Sequence, residues 1–314
     1  MARVLFILGP TASGKSRLAL ELARQEDGEI VSADSMQVYR GMDIGTAKPT
    51  AAERRKVRHH LIDICRPSRL FSVADFYTRA VKAIRDIQSR NRLPIVVGGS
   101  GLYIRSLLQG LESTPASDPV LRKKIEKQCR SQGREFIWNK LKKLAPETAR
   151  RVDPLNERRV TRALEIAILS ARKSEKIRVR FPPLAEIGVE TLVIGLNPKR
   201  ENLYLKINER IDQMFRGGWL REARLLTRQR IARTARQALG YRHLWNWMKD
   251  GANKKNLAAV KDAIKRDTRH FAKRQWTWFR REKNVRWIDF DTDRSLQSCV
   301  SQIRNGLNSS LKGT

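Results

Sequence analysis

Short apolar runs and longer amphipathic stretches alternate through the first third of the chain. The apolar runs fall at residues 4–8, 29–32, 61–64 and 94–97, each of strand length. Between them the helical period is clearest over Val73–Ser89, where Val73, Phe76, Tyr77, Ala80, Val81 and Ile84 share one face. Strand and helix in alternation predict an α/β fold with a parallel sheet covered by helices on both sides. Ligands of such sheets bind at the carboxyl ends of the strands, which directs attention to the loops at residues 9–16, 34–39 and 98–103.

After Gly110 the pattern changes. A turn-rich break at residues 113–119 leads into helical patterns at 120–129, Arg134–Leu144 and 157–169. A basic loop over 172–180 and Phe181-Pro182-Pro183 then precede an apolar run at 191–196. This predicts a helical insertion domain, 113–188, in a core built from 1–112 and 189–314. From Lys199 the chain reads as mostly helical. A long basic helix spans 253–281 with Asn253 as its cap, a last strand covers 285–290, and residues 308–314 read as a frayed end.

Composition adds a partner. The 314 residues carry 65 Lys and Arg against 32 Asp and Glu, a formal charge of +33. An excess of that size attracts a polyanion, with nucleic acid ahead of an acidic membrane. The excess is heaviest in the middle and C-terminal parts. Cys65, Cys129 and Cys299 lie far apart, without metal-ligand spacing, which fits a reducing compartment. No apolar run is long enough to span a bilayer, and the expectation is a cytoplasmic protein.

The first loop reads Gly9-Pro10-Thr11-Ala12-Ser13-Gly14-Lys15-Ser16, between an apolar run and a helical pattern. Glycines at both ends let successive N–H groups converge on one anion, and the helix start adds its dipole. Lys15 can reach a terminal phosphate and Ser16 can ligate Mg²⁺. The loop therefore predicts a di- or triphosphate ligand. Asp34, beside it after the second run, has three open readings: Mg²⁺ ligand, general base, or turn cap. Gln37 and Tyr39 could read and stack a base. The run at 94–97 lacks the terminal Asp expected of a nucleotide hydrolase and ends in Gly98-Gly99-Ser100-Gly101.

Taken together, these segments resemble the tRNA dimethylallyltransferase family of bacterial type. The resemblance is carried by Gly9–Ser16, by Asp34-Ser35-Met36-Gln37-Val38-Tyr39 running into Gly41–Pro49, and by Arg159-Val160-Thr161-Arg162-Ala163-Leu164-Glu165. Ala238-Leu239-Gly240-Tyr241 and Ala272-Lys273-Arg274-Gln275-Trp276-Thr277-Trp278 complete it, over residues 4 to about 290. It implies transfer of a dimethylallyl group from dimethylallyl diphosphate to N6 of the adenosine 3′-adjacent to the anticodon, in a monomer acting on the tRNA anticodon stem-loop with Mg²⁺. Under it the diphosphate is held by the N–H groups of residues 11–16, Lys15 and Mg²⁺ on Ser16. Thr11 bonds near the breaking bond, Arg210 clamps the diphosphate, and Asp34 is the general base.

The resemblance further implies tRNA contacts at Asp34, Ser35, Met36 and Gln37, at Ser100 and Arg122, at Arg158, Arg159, Val160, Thr161 and Arg162, and at Arg236, Gln237, Ala238, Leu239, Gly240 and Tyr241. Two departures stand out: Ser100 replaces the usual Thr, and Pro154-Leu155-Asn156 lacks the usual Asp. Other activities share parts of the pattern. An isopentenyltransferase of free adenine nucleotides, a kinase or ATPase acting on RNA, and a tRNA-binding module with an inactive loop remain open at this point.

Overall fold

Aliphatic runs buried on both faces make the central strands of a single sheet, and shorter, more exposed segments make its two edges. The strands are β1 (Ala2–Leu8), β2 (Gly28–Ser32), β3 (His59–His60), β4 (Leu93–Gly98), β5 (Val189–Leu196) and β6 (Val285–Ile288), in the order β3-β2-β4-β1-β5-β6. Every pairing is parallel; Leu5 of β1 stands level with Ile95 on one side and Leu192 on the other. All-parallel sheets need cover on both faces, and Val4, Leu5, Phe6, Ile7 and Leu8 are accordingly all buried. The computed structural model describes residues 2–112, 114–115, 117–172, 180–252, 256–290 and 296–309.

The chain divides into two compact units, Met1–Gly110 with Pro182–Thr314, and Leu111–Phe181. In the first, α1 (Lys15–Gln25) follows β1, α2 (Ala51–Lys56) precedes β3, and α3 (Val73–Ser89) and α4 (Gly101–Gln109) flank β4 in the chain. Thr50 and Ser72 start α2 and α3 with reciprocal capping boxes to Glu53 and Asp75. In the second unit, α5 (Pro119–Gln132), α6 (Arg134–Leu144), α7 (Pro146–Arg151) and α8 (Glu157–Arg172) enclose a core of their own around Leu121, Ile125, Ile137, Leu141, Val160 and Leu164. The first unit then resumes with α9 (Arg200–Arg216), α10 (Trp219–Leu226), α11 (Leu239–Lys249), α12 (Leu257–Phe279) and α13 (Leu296–Ser309).

Two expectations need correction. The third strand lies at His59–His60, not 61–64, because Leu61 and Asp63 take left-handed φ angles of 63° and 57° that end the extended run. Residues 182–188 belong with the core rather than the helical unit. A short turn of helix there, Leu184–Ile187, buries Leu184 against β5 and α4, and Pro182 accepts the Tyr77 hydroxyl. Part of the charge of the basic helix is met by its neighbour α9. Lys261 and Lys265 both bind Asp212, and Arg269 binds Asn208. Its expected cap, Asn253, lies outside the described residues, as does most of the basic loop.

At the amino end of the sheet, Glu29 of β2 is fully buried and holds Arg90, His60 and Arg92. Its hydrogen bonds with Arg90 outweigh burial and hold its pKa at about 2, against an ordinary 4.5. A depressed carboxylate contributes stability that is present above its unfolded pKa and is lost as pH falls from about 4.5 towards 2. Glu29→Gln should destabilise the protein by roughly 1–3 kcal/mol at neutral pH, because the buried side chain loses its charge-assisted bonds to Arg90, Arg92 and His60. Urea melts of the two proteins at pH 7 and pH 3 check this; the difference should shrink at the lower pH.

Candidate active site

The sheet order brings the three suspect loops together. They follow β1, β2 and β4, which are neighbours, so all three emerge at one edge of the sheet. In the β1–α1 loop Ala12 and Gly14 have φ angles of 64° and 87°. Left-handed residues set among right-handed ones turn successive N–H groups the same way, which makes an anion-binding concavity. Gly14 is also the α1 cap, and a Cβ there would lie 2.7 Å from Phe290 Cε1. The cap residue has no side chain, and the first turn of α1 has no acidic residue, so the helix start is left to an anion.

Lys15 donates from Nζ to the Pro10 carbonyl at 3.1 Å, which curls its side chain back over the loop. Arg210, on α9, donates to Thr11 Oγ1 at 3.2 Å. Both cations keep partial solvent access, yet burial is the main reason their pKa values fall, the condition of groups on the floor of a cleft. Lys15 drops to about 8 through burial and then the Arg210 charge, with Asp34 opposing. Arg210 also shifts down through burial, with Asp34 again opposing. Two crowded cations facing one carboxylate leave excess positive potential that an anion would neutralise.

Asp34 closes an Asx turn: its Oδ1 accepts the N–H groups of Met36 at 2.8 Å and Gln37 at 3.3 Å. Capping and catalysis are compatible, since the turn uses one oxygen and leaves the charge on the group. Ser100 Oγ accepts the Ser35 N–H at 2.9 Å and so steadies the same turn. One expected ligand contact is already taken, because the Thr11 N–H donates to Gln275 Oε1 at 2.8 Å. The Ser13 N–H likewise goes to Pro10, and its side chain is buried. The donors left for an anion are those of Ala12, Gly14, Lys15 and Ser16 and the Thr11 hydroxyl.

The IPP transferase family model matches residues 37–282. The chain belongs to the IPP transferase family. A tRNA dimethylallyltransferase from Acetivibrio thermocellus is 42% identical over 306 residues, covering 94% of this chain and 95% of that one. One from Geobacter metallireducens is 43% identical over 292 residues, covering 92% and 93%. Among solved structures, the tRNA isopentenylpyrophosphate transferase of Bacillus halodurans is 39% identical with a TM-score of 0.72, covering 99% of this chain and 97% of that one. A eukaryotic dimethylallyltransferase described as acting on tRNA is 25% identical with a TM-score of 0.77, covering 98% and 80%.

In this IPP transferase the remaining expected RNA residues fall into exposed and buried sets. Arg158, Arg159, Arg236 and Gln237 are exposed, and Leu239 is half-buried. Val160, Thr161, Ala238, Gly240 and Tyr241 are buried; they shape the backbone from which the exposed residues project. The Tyr241 hydroxyl accepts the Gly45 N–H and donates to Glu222, whose carboxylate also accepts the Asp43 and Ile44 N–H groups. Tyr241 thus anchors the 43–45 turn. Arg122 and Arg162 both pair with the buried Glu165 in the helical unit.

Tyr39 is not a stacking platform. It is 1% exposed, and its hydroxyl donates to Thr234 at 2.6 Å. Gln37 spends its amide on the Thr46 and Ala47 carbonyls and on Ser32. Glu165, Glu222 and Gln275 carry no assigned role in the sequence, and each proves to hold groups on a distant segment: Arg122, the Asp43 N–H and the Thr11 N–H.

Proposed function

We propose that this chain is an enzyme that transfers a dimethylallyl group from dimethylallyl diphosphate to N6 of the adenosine 3′-adjacent to the anticodon in tRNA, releasing diphosphate. Its relatives bear the name of that activity over nearly their whole length. The single observation that carries the chemistry is the Lys15–Arg210 pair held beside Asp34 at a phosphate loop. A diphosphate leaving group needs cations and aligned N–H groups, and a weakly nucleophilic exocyclic amine needs a carboxylate to take its proton.

In this reading the allylic C–O bond breaks with its electron pair passing to the diphosphate oxygen. The N6 lone pair forms the new C–N bond, and the N6 proton goes to Asp34. Arg210 occupies the Thr11 hydroxyl oxygen, which leaves the hydroxyl hydrogen to donate to the departing oxygen. The adenine reaches the site by leaving the anticodon-loop stack, at a cost of about a few kcal/mol met by contacts to the extruded base. Arg158, Arg159, Arg236 and the basic α12 surface supply phosphate contacts without reading sequence.

Mg²⁺ fits this donor set in one way. The exposed Ser16 hydroxyl stands at the start of α1, and the described residues contain no cluster of three or more His, Cys, Asp or Glu. Ser16 would therefore hold the ion together with diphosphate oxygens and water, the arrangement Mg²⁺ favours. The ion would add positive charge beside the leaving group.

No helix among the described residues is long and apolar enough to cross a membrane. A cytoplasmic monomer acting on the tRNA anticodon stem-loop completes the proposal. The test incubates purified protein with unmodified tRNA and labelled dimethylallyl diphosphate. The expected product is tRNA heavier by one C5H8 unit on a single adenosine. ATP turnover without that product, or transfer to AMP in preference to tRNA, would overturn the proposal.

A further inference from the structure

Thr11 and Asp34 stand on different loops, after β1 and after β2, and β4 runs between those strands. Two side chains tie the loops together through the β4–α4 connection. Gln275 of α12 is buried, accepts the Thr11 N–H through Oε1 at 2.8 Å, and donates through Nε2 to the Gly99 carbonyl at 2.8 Å. One residue further on, Ser100 accepts the Ser35 N–H at 2.9 Å, next to Asp34. A continuous line of hydrogen bonds and short backbone segments thus runs from the leaving-group loop to the proton-accepting loop.

The chemistry of that line is selective. A neutral amide offers an acceptor and a donor at one planar end; a carboxylate of the same length can donate only when protonated. A Cβ at Gly99 would lie 2.2 Å from Gln275 Nε2, so the close approach requires glycine there. The bridging residue sits on a braced helix. Trp276 Nε1 donates to Asn197 at 3.0 Å, and Arg105 lies over the Trp278 ring at 4.4 Å. With its N–H held by Gln275 and its hydroxyl oxygen by Arg210, Thr11 has a single orientation.

We propose that Gln275 is a positioning residue for group transfer, setting Thr11 at a fixed separation from Asp34 through Gly99 and Ser100. This rests on the reading that the phosphate loop binds the donor diphosphate. Gln275 touches neither reactant; it acts through the two loops.

The test compares Gln275→Met and Gln275→Glu with the wild type in the full-length protein. Both variants should lower kcat on the order of 10- to 100-fold, as misplacement of reacting groups by about 1 Å does. The tRNA KM should be unchanged, and hydrogen exchange at the Thr11 amide should accelerate in Gln275→Met, which offers that amide no acceptor. Gln275→Glu should regain rate relative to Gln275→Met as pH is lowered, because the protonated carboxyl can again donate to Gly99. A folded Gln275→Met protein with wild-type kcat, or with unchanged Thr11 exchange, would overturn the proposal. If Gln275→Met does not fold, the pH dependence of kcat in the near-isosteric Gln275→Glu decides: a rate that does not rise relative to wild type as pH is lowered overturns the proposal. Calorimetry of inorganic diphosphate with Lys15→Ala separates the underlying reading. Undiminished binding there removes the donor-site assignment itself, whereas lost binding alongside a Gln275→Met protein of normal kcat removes only the role of Gln275.

Discussion

Asp34→Asn should lower the rate of transfer by about 10²- to 10⁴-fold, the range for loss of a general base, and leave the Kd for tRNA nearly unchanged. The structure makes asparagine the informative replacement. Asp34 Oδ1 accepts the Met36 and Gln37 N–H groups, and an asparagine carbonyl keeps both bonds. The turn survives, and only the capacity to take a proton is lost. Asp34→Ala removes the cap as well, so it should also disturb Ser35, Met36 and Gln37 and weaken RNA binding. Single-turnover rates with enzyme in excess over tRNA, set beside filter-binding titrations, check both halves. An Asp34→Asn protein that transfers at the wild-type rate would leave Asp34 as a turn cap alone.

Donor binding should weaken about tenfold for each pH unit above about 8, since each unit of pKa corresponds to about 1.4 kcal/mol. Burial, followed by the Arg210 charge, lowers Lys15 from 10.5 to about 8. As pH rises through that value the free protein loses a cation that the diphosphate needs. Binding at pH 9 must then take up a proton, because the anion restores the Lys15 charge. Calorimetry in two buffers of different ionisation enthalpy reads that proton directly; a proton count of zero at pH 9 contradicts the assignment. In Asp34→Asn the falling limb should begin at lower pH, because the Asp34 charge supports protonation of Lys15. For folding the sign is opposite. Between about 8 and 10.5 the unfolded chain binds the Lys15 proton more strongly than the native one, so this group's contribution to stability rises with pH.

The parts legible in the sequence were those set by local pattern. Apolar runs identified β1, β2, β4 and β5 to within a few residues, and the glycines marked the sharp β1–α1 loop, where Ala12 and Gly14 take left-handed φ angles. The failures have a common physical origin. The third strand was misplaced because the left-handed turns at Leu61 and Asp63 leave no mark in hydrophobic period. Tyr39 looked available for stacking because its partner, Thr234, lies 195 residues away. Gln275 was one polar residue in a charged helix until the fold brought it to Thr11, 264 residues distant, and Gly99, 176 residues distant. Within the basic helix, nothing in the sequence marks Lys261 and Lys265 as the pair that meets Asp212. Side chains that join distant segments are invisible to periodicity, and those are the side chains that build the site.

The sheet order also dictates a timetable for synthesis. β1 is the first strand to leave the ribosome and stands fourth in the sheet, between β4 and β5. Its β5 flank therefore stays unpaired until residues 189–196 emerge, while the contiguous Leu111–Phe181 unit already has all it needs to close. Phe290, which packs on Gly14, and Gln275, which ties down Thr11, arrive later still. A ribosome that stops short of α12 therefore releases a chain whose β1–α1 loop lacks the Gln275 bond to Thr11.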